Sequence, residues 1–268
     1  MDPSGLHVVR HHIDAAGSPV VLVHGAPDRS KNFAHVVHQL HDLALTVYDR
    51  RGYGKSLAAG DLDGMVRGGF ETHADDLIEL LDGTPSVVVG QSAGGTIAML
   101  AATKAPELFE ALGVWEPPMV PWDWWMGDEA LQRTIAWASY ADPHQLGEEF
   151  NRSILGDDRW ERLRERTKEL LRAEGVAFRA DMACQREPFL ELDHLKVPFL
   201  VGCGTVAPSP EFLDAPRRLA ERTGAQLFVA DHADHFAHTN HPEAWVELVR
   251  RTVALADRSS ENPMSRNR

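Results

Sequence analysis

Ser86-Val87-Val88-Val89-Gly90-Gln91-Ser92-Ala93-Gly94-Gly95 is the stretch of this chain that decides the fold. Three consecutive valines form a β-branched apolar run of the kind buried on both faces of a parallel sheet. The run stops at a cluster of small residues around Ser92, which predicts a tight reversal from strand into helix. Gly90-Gln91-Ser92-Ala93-Gly94 fits the G-x-S-x-G elbow, where the serine sits in a strained backbone conformation that only neighbours without bulk tolerate. That geometry sets the Ser92 hydroxyl at the carboxyl edge of the sheet, over a helix N-terminus. Peptide dipoles favour negative charge there, and the N–H of Ala93 is placed to bind an oxyanion.

The segments on either side repeat the same alternation. Upstream, Val20-Val21-Leu22-Val23 is a second fully apolar run, and it ends at His24-Gly25-Ala26-Pro27. A glycine at a strand's carboxyl end lets the backbone cross the top of the sheet, so the N–H of Ala26 is expected to complete the oxyanion hole. Phe33, Val36, Val37 and Leu40 then recur at helical spacing, and Leu43 to Tyr48 reads as a strand. Asp49-Arg50-Arg51-Gly52-Tyr53-Gly54-Lys55-Ser56 makes a polar turn at the same edge, its charges bracing loops. Gly60 to Gly69 reads as a loop, followed by a helix carrying Phe70, Ala74, Leu77, Ile78 and Leu81 and closed by Gly83. Successive strand–helix units imply a parallel sheet covered on both faces, with ligand loops at the carboxyl ends of its strands.

These motifs, in this order and with His235 near the end, resemble the α/β-hydrolase superfamily from about Val20 to about Ala256. The resemblance implies an α/β-hydrolase fold: a mostly parallel central sheet, helices on both faces and a helical cap. The cap falls at 119–187, where buried strand runs give way to helical stretches at Leu131 to Tyr140, Pro143 to Leu155 and Trp160 to Glu174. Residues 1–118 and 188–256 form the core, and 257–268 is a polar tail expected to fray or be disordered. His235, in the loop after the last core strand, stands where the family places its base; His232 is the competitor. The family most often puts its acid after the strand ending near Cys203, but Gly204-Thr205-Val206-Ala207-Pro208-Ser209 contains no carboxylate. Some members place it after the strand that follows the nucleophile helix, which here is Glu116; Asp214, or no acid at all, is the alternative.

The rest of the sequence narrows the chemistry. At 268 residues the chain holds one α/β domain with an insertion, and 40 acidic against 27 basic residues give a formal charge of −13. That balance argues against nucleic acid and anionic lipid and disfavours strongly anionic substrates, unless Arg50, Arg51 or Arg186 offers a local cation. Met1 to Gly5 holds no apolar signal core, and no apolar run reaches membrane-spanning length, so a cytoplasmic protein without a membrane partner is expected, as a monomer or homodimer. Cys184 and Cys203 are expected to be free thiols. His232, His235, His238 and His241 recur every third residue, but no metal-ligand motif accompanies them, so neither metal nor cofactor is expected. The resulting expectation is a serine hydrolase acting by acyl transfer on a small ester, thioester or lactone. Ser92 is the nucleophile, His235 the base and Glu116 the acid. Trp122, Trp124 and Trp125, soon after Glu116, are candidates for an apolar substrate wall. A carbon–carbon bond hydrolase on the same site and a non-catalytic ligand-binding member of the fold are the alternatives. Epoxide hydrolases and haloalkane dehalogenases use a carboxylate where this chain has Ser92.

Overall fold

Strands β1 (His7–His11), β2 (Val20–Val23), β3 (Leu45–Asp49), β4 (Ser86–Gln91), β5 (Phe109–Trp115), β6 (Phe199–Gly204) and β7 (Gln226–Ala230) form one sheet in the order β1-β3-β2-β4-β5-β6-β7. Only β1 runs antiparallel to its neighbour; β3 to β7 are joined through parallel pairs. The computed structural model describes residues 5–57, 62–125, 127–185, 190–207 and 210–261, with the backbone alone over 62–69, 210–212 and 260–261.

Eleven α-helices of the described residues surround the sheet: α1 (Ala34–Gln39), α2 (Leu62–Leu81), α3 (Ala93–Lys104), α4 (Asp128–Ala138), α5 (Pro143–Leu155), α6 (Asp157–Glu161), α7 (Glu165–Ala173), α8 (Gly175–Cys184), α9 (Pro210–Thr223), α10 (Ala237–Asn240) and α11 (Pro242–Glu261). The valines of β4 divide by parity, as a strand's side chains must. Val88 joins Ile97, Leu77 and Leu219 on one face, beneath α2, α3 and α9. Val87 and Val89 join Phe33, Trp245 and Leu248 on the other, beneath α1 and α11. Two apolar layers therefore hold the central strands, each side chain fully desolvated contributing about 1.5–3 kcal/mol.

The insertion carries α4 to α8. It is tied to the core from its first residues: Met119, Val120, Trp125 and Ala130 belong to the same apolar cluster as Ile97. Farther along, Leu146, Phe178 and Met182 pack with Trp137 and Phe150 in a cluster of their own. Helix α8 shows little polar–apolar periodicity because Ala177, Phe178, Ala180, Asp181 and Met182 are all buried, and this is why the sequence pattern does not reveal it.

Three boundaries differ from expectation. The expected loop from Gly60 to Gly69 is helical from Leu62 onward. Its glycines cost about 1 kcal/mol each in helix propensity, and packing of the following Phe70, Ala74, Leu77 and Leu81 overrides them. Helix α11 continues to Glu261, so the first residues of the expected tail, 257–261, are helical. Leu255 and Ala256 anchor that last turn by burial, and each further residue adds one backbone hydrogen bond to an existing helix. The rest of that segment, 262–268, lies outside the described residues. The single helix expected over Trp160 to Glu174 is two, α6 and α7, with Trp160 of α6 fully buried under the guanidinium groups of Arg152 and Arg172.

Candidate active site

Ser92 joins β4 to α3 with φ 50° and ψ −128°, a conformation that costs a non-glycine residue on the order of 1–3 kcal/mol. The reversal is held by its neighbours. The Ser92 N–H donates to the Trp115 carbonyl at 2.9 Å, and the Ser92 carbonyl accepts from Gly95 at 2.7 Å. A Cβ on Gly94 would strike the carbonyl oxygens of Val23 and His24, and one on Gly25 would strike the Gln91 side chain. The glycines therefore let the loop after β2 lie directly against the elbow. Ser92 keeps partial exposure while Gln91 and Ala93 are buried.

That closeness places Ala26 beside the elbow. Ala93 is the first residue of α3, so its N–H is one that a helix leaves without an internal acceptor. Neither it nor the Ala26 N–H finds a protein acceptor among the described residues. The loop carrying Ala26 is fixed by buried polar groups. The Arg50 N–H donates to His24 Nε2 at 2.8 Å, and His24 Nδ1 donates to the Gly25 carbonyl at 2.8 Å. That pairing requires a neutral imidazole, and burial, reinforced by the Arg50 charge, lowers the His24 pKa to about 4. The Arg50 guanidinium donates to the carbonyls of His24 and Gly25 at 3.0 and 2.9 Å.

Glu116 lies just past β5, also with a positive φ, 45°. Its side chain is 3% exposed, and Oε2 lies 2.8 Å from His235 Nδ1. Oε1 accepts from the Gly204 N–H at 2.9 Å. A carboxylate at Nδ1 fixes the proton there and leaves Nε2 as a base. The His235 loop is held at three further points. Gln91 Nε2 donates to the His235 carbonyl at 3.2 Å, the Trp115 indole donates to the Asp234 carbonyl at 3.2 Å, and the Val206 N–H donates to the Ala233 carbonyl at 3.0 Å. The strand end that lacks a carboxylate thus contributes two backbone donors instead.

The other candidates separate. His232 is exposed and its N–H is held by Thr205, and Asp214 is exposed on α9. Of the periodic histidines, His238 is buried 2.8 Å from Asp28 and His241 pairs with Glu243. Among the described residues no three His, Cys, Asp or Glu side chains group as metal ligands. Both cysteines are free. Trp125 is buried in the core cluster, Trp124 lies under the Arg222 guanidinium at 4.8 Å, and Trp122 is partly exposed against the same cluster. Arg50 and Arg51 cannot serve as cations for a substrate, because Asp181 and Asp76 occupy them at 2.8 and 2.6 Å. Arg186 lies outside the described residues.

Several residues that shape the site carry no motif. Asp181 of α8 accepts from Arg50, from the Tyr53 hydroxyl at 2.7 Å and from His73 at 3.2 Å. Burial would raise its pKa, but Arg50 and His73 outweigh this and hold it below the usual carboxylate range. Glu174 takes both the Arg29 guanidinium and the Gly54 N–H. The only sequence signal for these groups was the charged run from Asp49 to Ser56; their acidic partners lie more than a hundred residues away.

The chain belongs to the alpha/beta hydrolase family, whose model matches residues 20–248. It is similar to an uncharacterized hydrolase, YraK, of Bacillus subtilis, with 29% identity over 41% of each chain. The lipase LipV of Mycobacterium tuberculosis is 28% identical over 52% of this chain and 51% of its own. These matches span about half or less of either relative's length. An enol-lactonase from Burkholderia xenovorans LB400 has a similar structure, at TM-score 0.69 and 19% identity over 93% of this chain and 96% of that one. Among the described residues no helix is long and apolar enough to cross a membrane.

Proposed function

We propose that the protein is a serine hydrolase that transfers the acyl group of a small apolar or aromatic ester, thioester or lactone to water. The hydrogen bond from His235 to the buried Glu116 carboxylate, in a loop strapped to the nucleophile elbow, carries this reading. Ser92 Oγ attacks the carbonyl carbon as His235 Nε2 takes its proton, and the oxyanion accepts the N–H groups of Ala26 and Ala93. Collapse breaks the bond to the leaving oxygen or sulfur, which receives the proton from His235. A water then loses a proton to the same nitrogen and attacks the acyl-enzyme, releasing a carboxylic acid and restoring Ser92. Glu116 stays ionised and stabilises the imidazolium. No cofactor enters. Residues 119–187 serve in this reading as a cap, and Trp122, partly exposed, is the tryptophan we assign to the substrate wall.

Labelling with a fluorophosphonate tests it. An activated serine reacts stoichiometrically with loss of p-nitrophenyl ester hydrolysis, and Ser92→Ala abolishes both. Unlabelled protein, or a Ser92→Ala variant hydrolysing within a few-fold of wild type, would overturn the assignment. A loss of about a thousandfold or more is expected.

A further inference from the structure

A concavity of about 820 Å³ lies on the sheet's outer edge, and none of Ser92, Glu116 and His235 lines it. Its floor is apolar. Val9 of β1 and Val47 of β3 are directly paired across the two edge strands, and Val37 of α1 and Leu170 of α7 close the sides. Helix α1 is only six residues long and leaves this corner of the face uncovered. The rim has a different character. Lys31, Lys55 and Arg166 border the groove, all three exposed and none with an acidic partner among the described residues. His7 and His11 add two imidazoles from the same face of β1, since residues two apart on a strand point the same way.

The acidic groups that reach the groove offset this only in part. Asp49 is buried, and its oxygens are taken by Ser30 and by the Lys55 N–H. Glu169 stands exposed on α7, while the guanidinium of Arg29 is already held by Glu174. Three cations without acidic partners therefore face two carboxylates without cationic ones, Asp49 and Glu169, a local excess of positive charge in a chain whose formal charge is −13. A local reversal of sign around an apolar floor selects a ligand with both features: an anionic head and a hydrocarbon body.

The geometry points to this groove as a binding site for a small amphiphilic carboxylate, such as a medium-chain fatty acid anion. The hydrocarbon lies along Val9, Val47 and Leu170, and the carboxylate meets Lys31, Lys55 and Arg166. The site needs no turnover at Ser92, so it stands apart from the reading of that residue.

Sodium decanoate is the probe, titrated calorimetrically into full-length protein whose Ser92 has been replaced by alanine and, separately, into wild type blocked with a fluorophosphonate. Saturable one-to-one binding is expected in both, at least tenfold tighter than that of decanol, and weakening as salt rises from 50 to 500 mM because exposed charges are screened (Debye length about 10 Å at 0.1 M). Lys31→Glu combined with Lys55→Glu should weaken decanoate at least tenfold and leave decanol unchanged. These side chains are exposed, and the milder pair Lys31→Gln and Lys55→Gln, expected to lose about threefold or more, provides a second reading should the reversal disturb folding. Equal affinity for decanoate and decanol, binding indifferent to both pairs of variants, or binding abolished by blocking Ser92 would each overturn the proposal.

Discussion

Replacing Glu116 by glutamine tests the proposed triad at its least expected member. The change keeps size and removes charge. In the wild type the two carboxylate oxygens receive two donors, His235 Nδ1–H at 2.8 Å and the Gly204 N–H at 2.9 Å. A glutamine amide has one oxygen and one NH2, so it cannot accept from both. With the oxygen toward Gly204, the NH2 faces Nδ1, which must become an acceptor; the proton moves to Nε2, and the ring can no longer take the Ser92 proton. With the oxygen toward the ring, two N–H groups confront each other in a site where the side chain is 3% exposed, and a buried unsatisfied donor costs about 1–3 kcal/mol. The first arrangement costs less and disables the base. Loss of the correct tautomer in a triad lowers kcat by about ten-thousandfold, or ~5.5 kcal/mol of transition-state stabilisation. The assay is kcat and kcat/KM on a short p-nitrophenyl ester, with thermal unfolding as a control. A drop of at least a thousandfold in kcat, with KM within a few-fold, is expected. A variant within tenfold of wild type would refute the assignment of Glu116 as the acid.

The remaining expectations concern the frame around the triad. His24 and His73 both have lowered pKa values. The unfolded chain therefore binds more protons than the folded one below pH 6.5, and stability falls as the pH drops below about 6.5, for His24 down to about 4. The slope is up to roughly 1.4 kcal/mol per unit for each group, and urea denaturation of wild type and His24→Gln should show a shallower slope in the variant. Asp181→Asn leaves Arg50 charged and buried without its carboxylate; a loss of about 3–5 kcal/mol is expected, and an unchanged denaturation midpoint would remove the pair as the pin between α8 and the loop after β3. Trp122→Ala should selectively lower kcat/KM for long or aromatic acyl esters, whereas Trp124→Ala, removing a ring that lies under Arg222, should act on stability alone. A uniform loss across the ester series for Trp122→Ala would assign it to packing.

The sheet was legible because its central strands are buried on both faces. Val20 to Val23 and Val87 to Val89 have no polar positions to confuse the pattern, and the glycine clusters after them mark turns whose close approaches admit no side chain. Ser92 and His235 drew attention through their place at strand ends. Glu116 was harder, because nothing local distinguishes it from a solvated loop carboxylate; only the missing acid after β6 directed attention to it. Of the groups bracing the site, the charged run from Asp49 to Ser56 was legible, but its distant acidic partners were not. Asp181 meets Arg50 across 131 positions and Glu174 meets Arg29 across 145, and a buried salt bridge between distant segments leaves no periodic trace. Helix α8, which carries Asp181, was hidden for a related reason: burial on several sides erases the amphipathic stripe by which helices are read.

The position of Glu116 follows from the sheet's register. Strands β5 and β6 pair in parallel with Trp115 opposite Gly202, so their carboxyl ends lie side by side, one strand spacing of about 4.8 Å apart. A carboxylate from either end can reach the same ring nitrogen if its side chain has the right length and direction. From β5 the reach is made by glutamate, one methylene longer than aspartate, and its direction is set by a positive φ at Glu116, an uncommon conformation for a residue with a side chain. The neighbouring strand then has a different task. Its Gly204 N–H occupies the second carboxylate oxygen, and a Cβ on Gly204 would collide with the Ala233 carbonyl in the His235 loop. The end of β6 therefore holds the His235 loop close and orients a carboxylate supplied from β5. What the chemistry constrains is the location of the carboxylate relative to the imidazole, and the parallel register offers two strands from which to supply it.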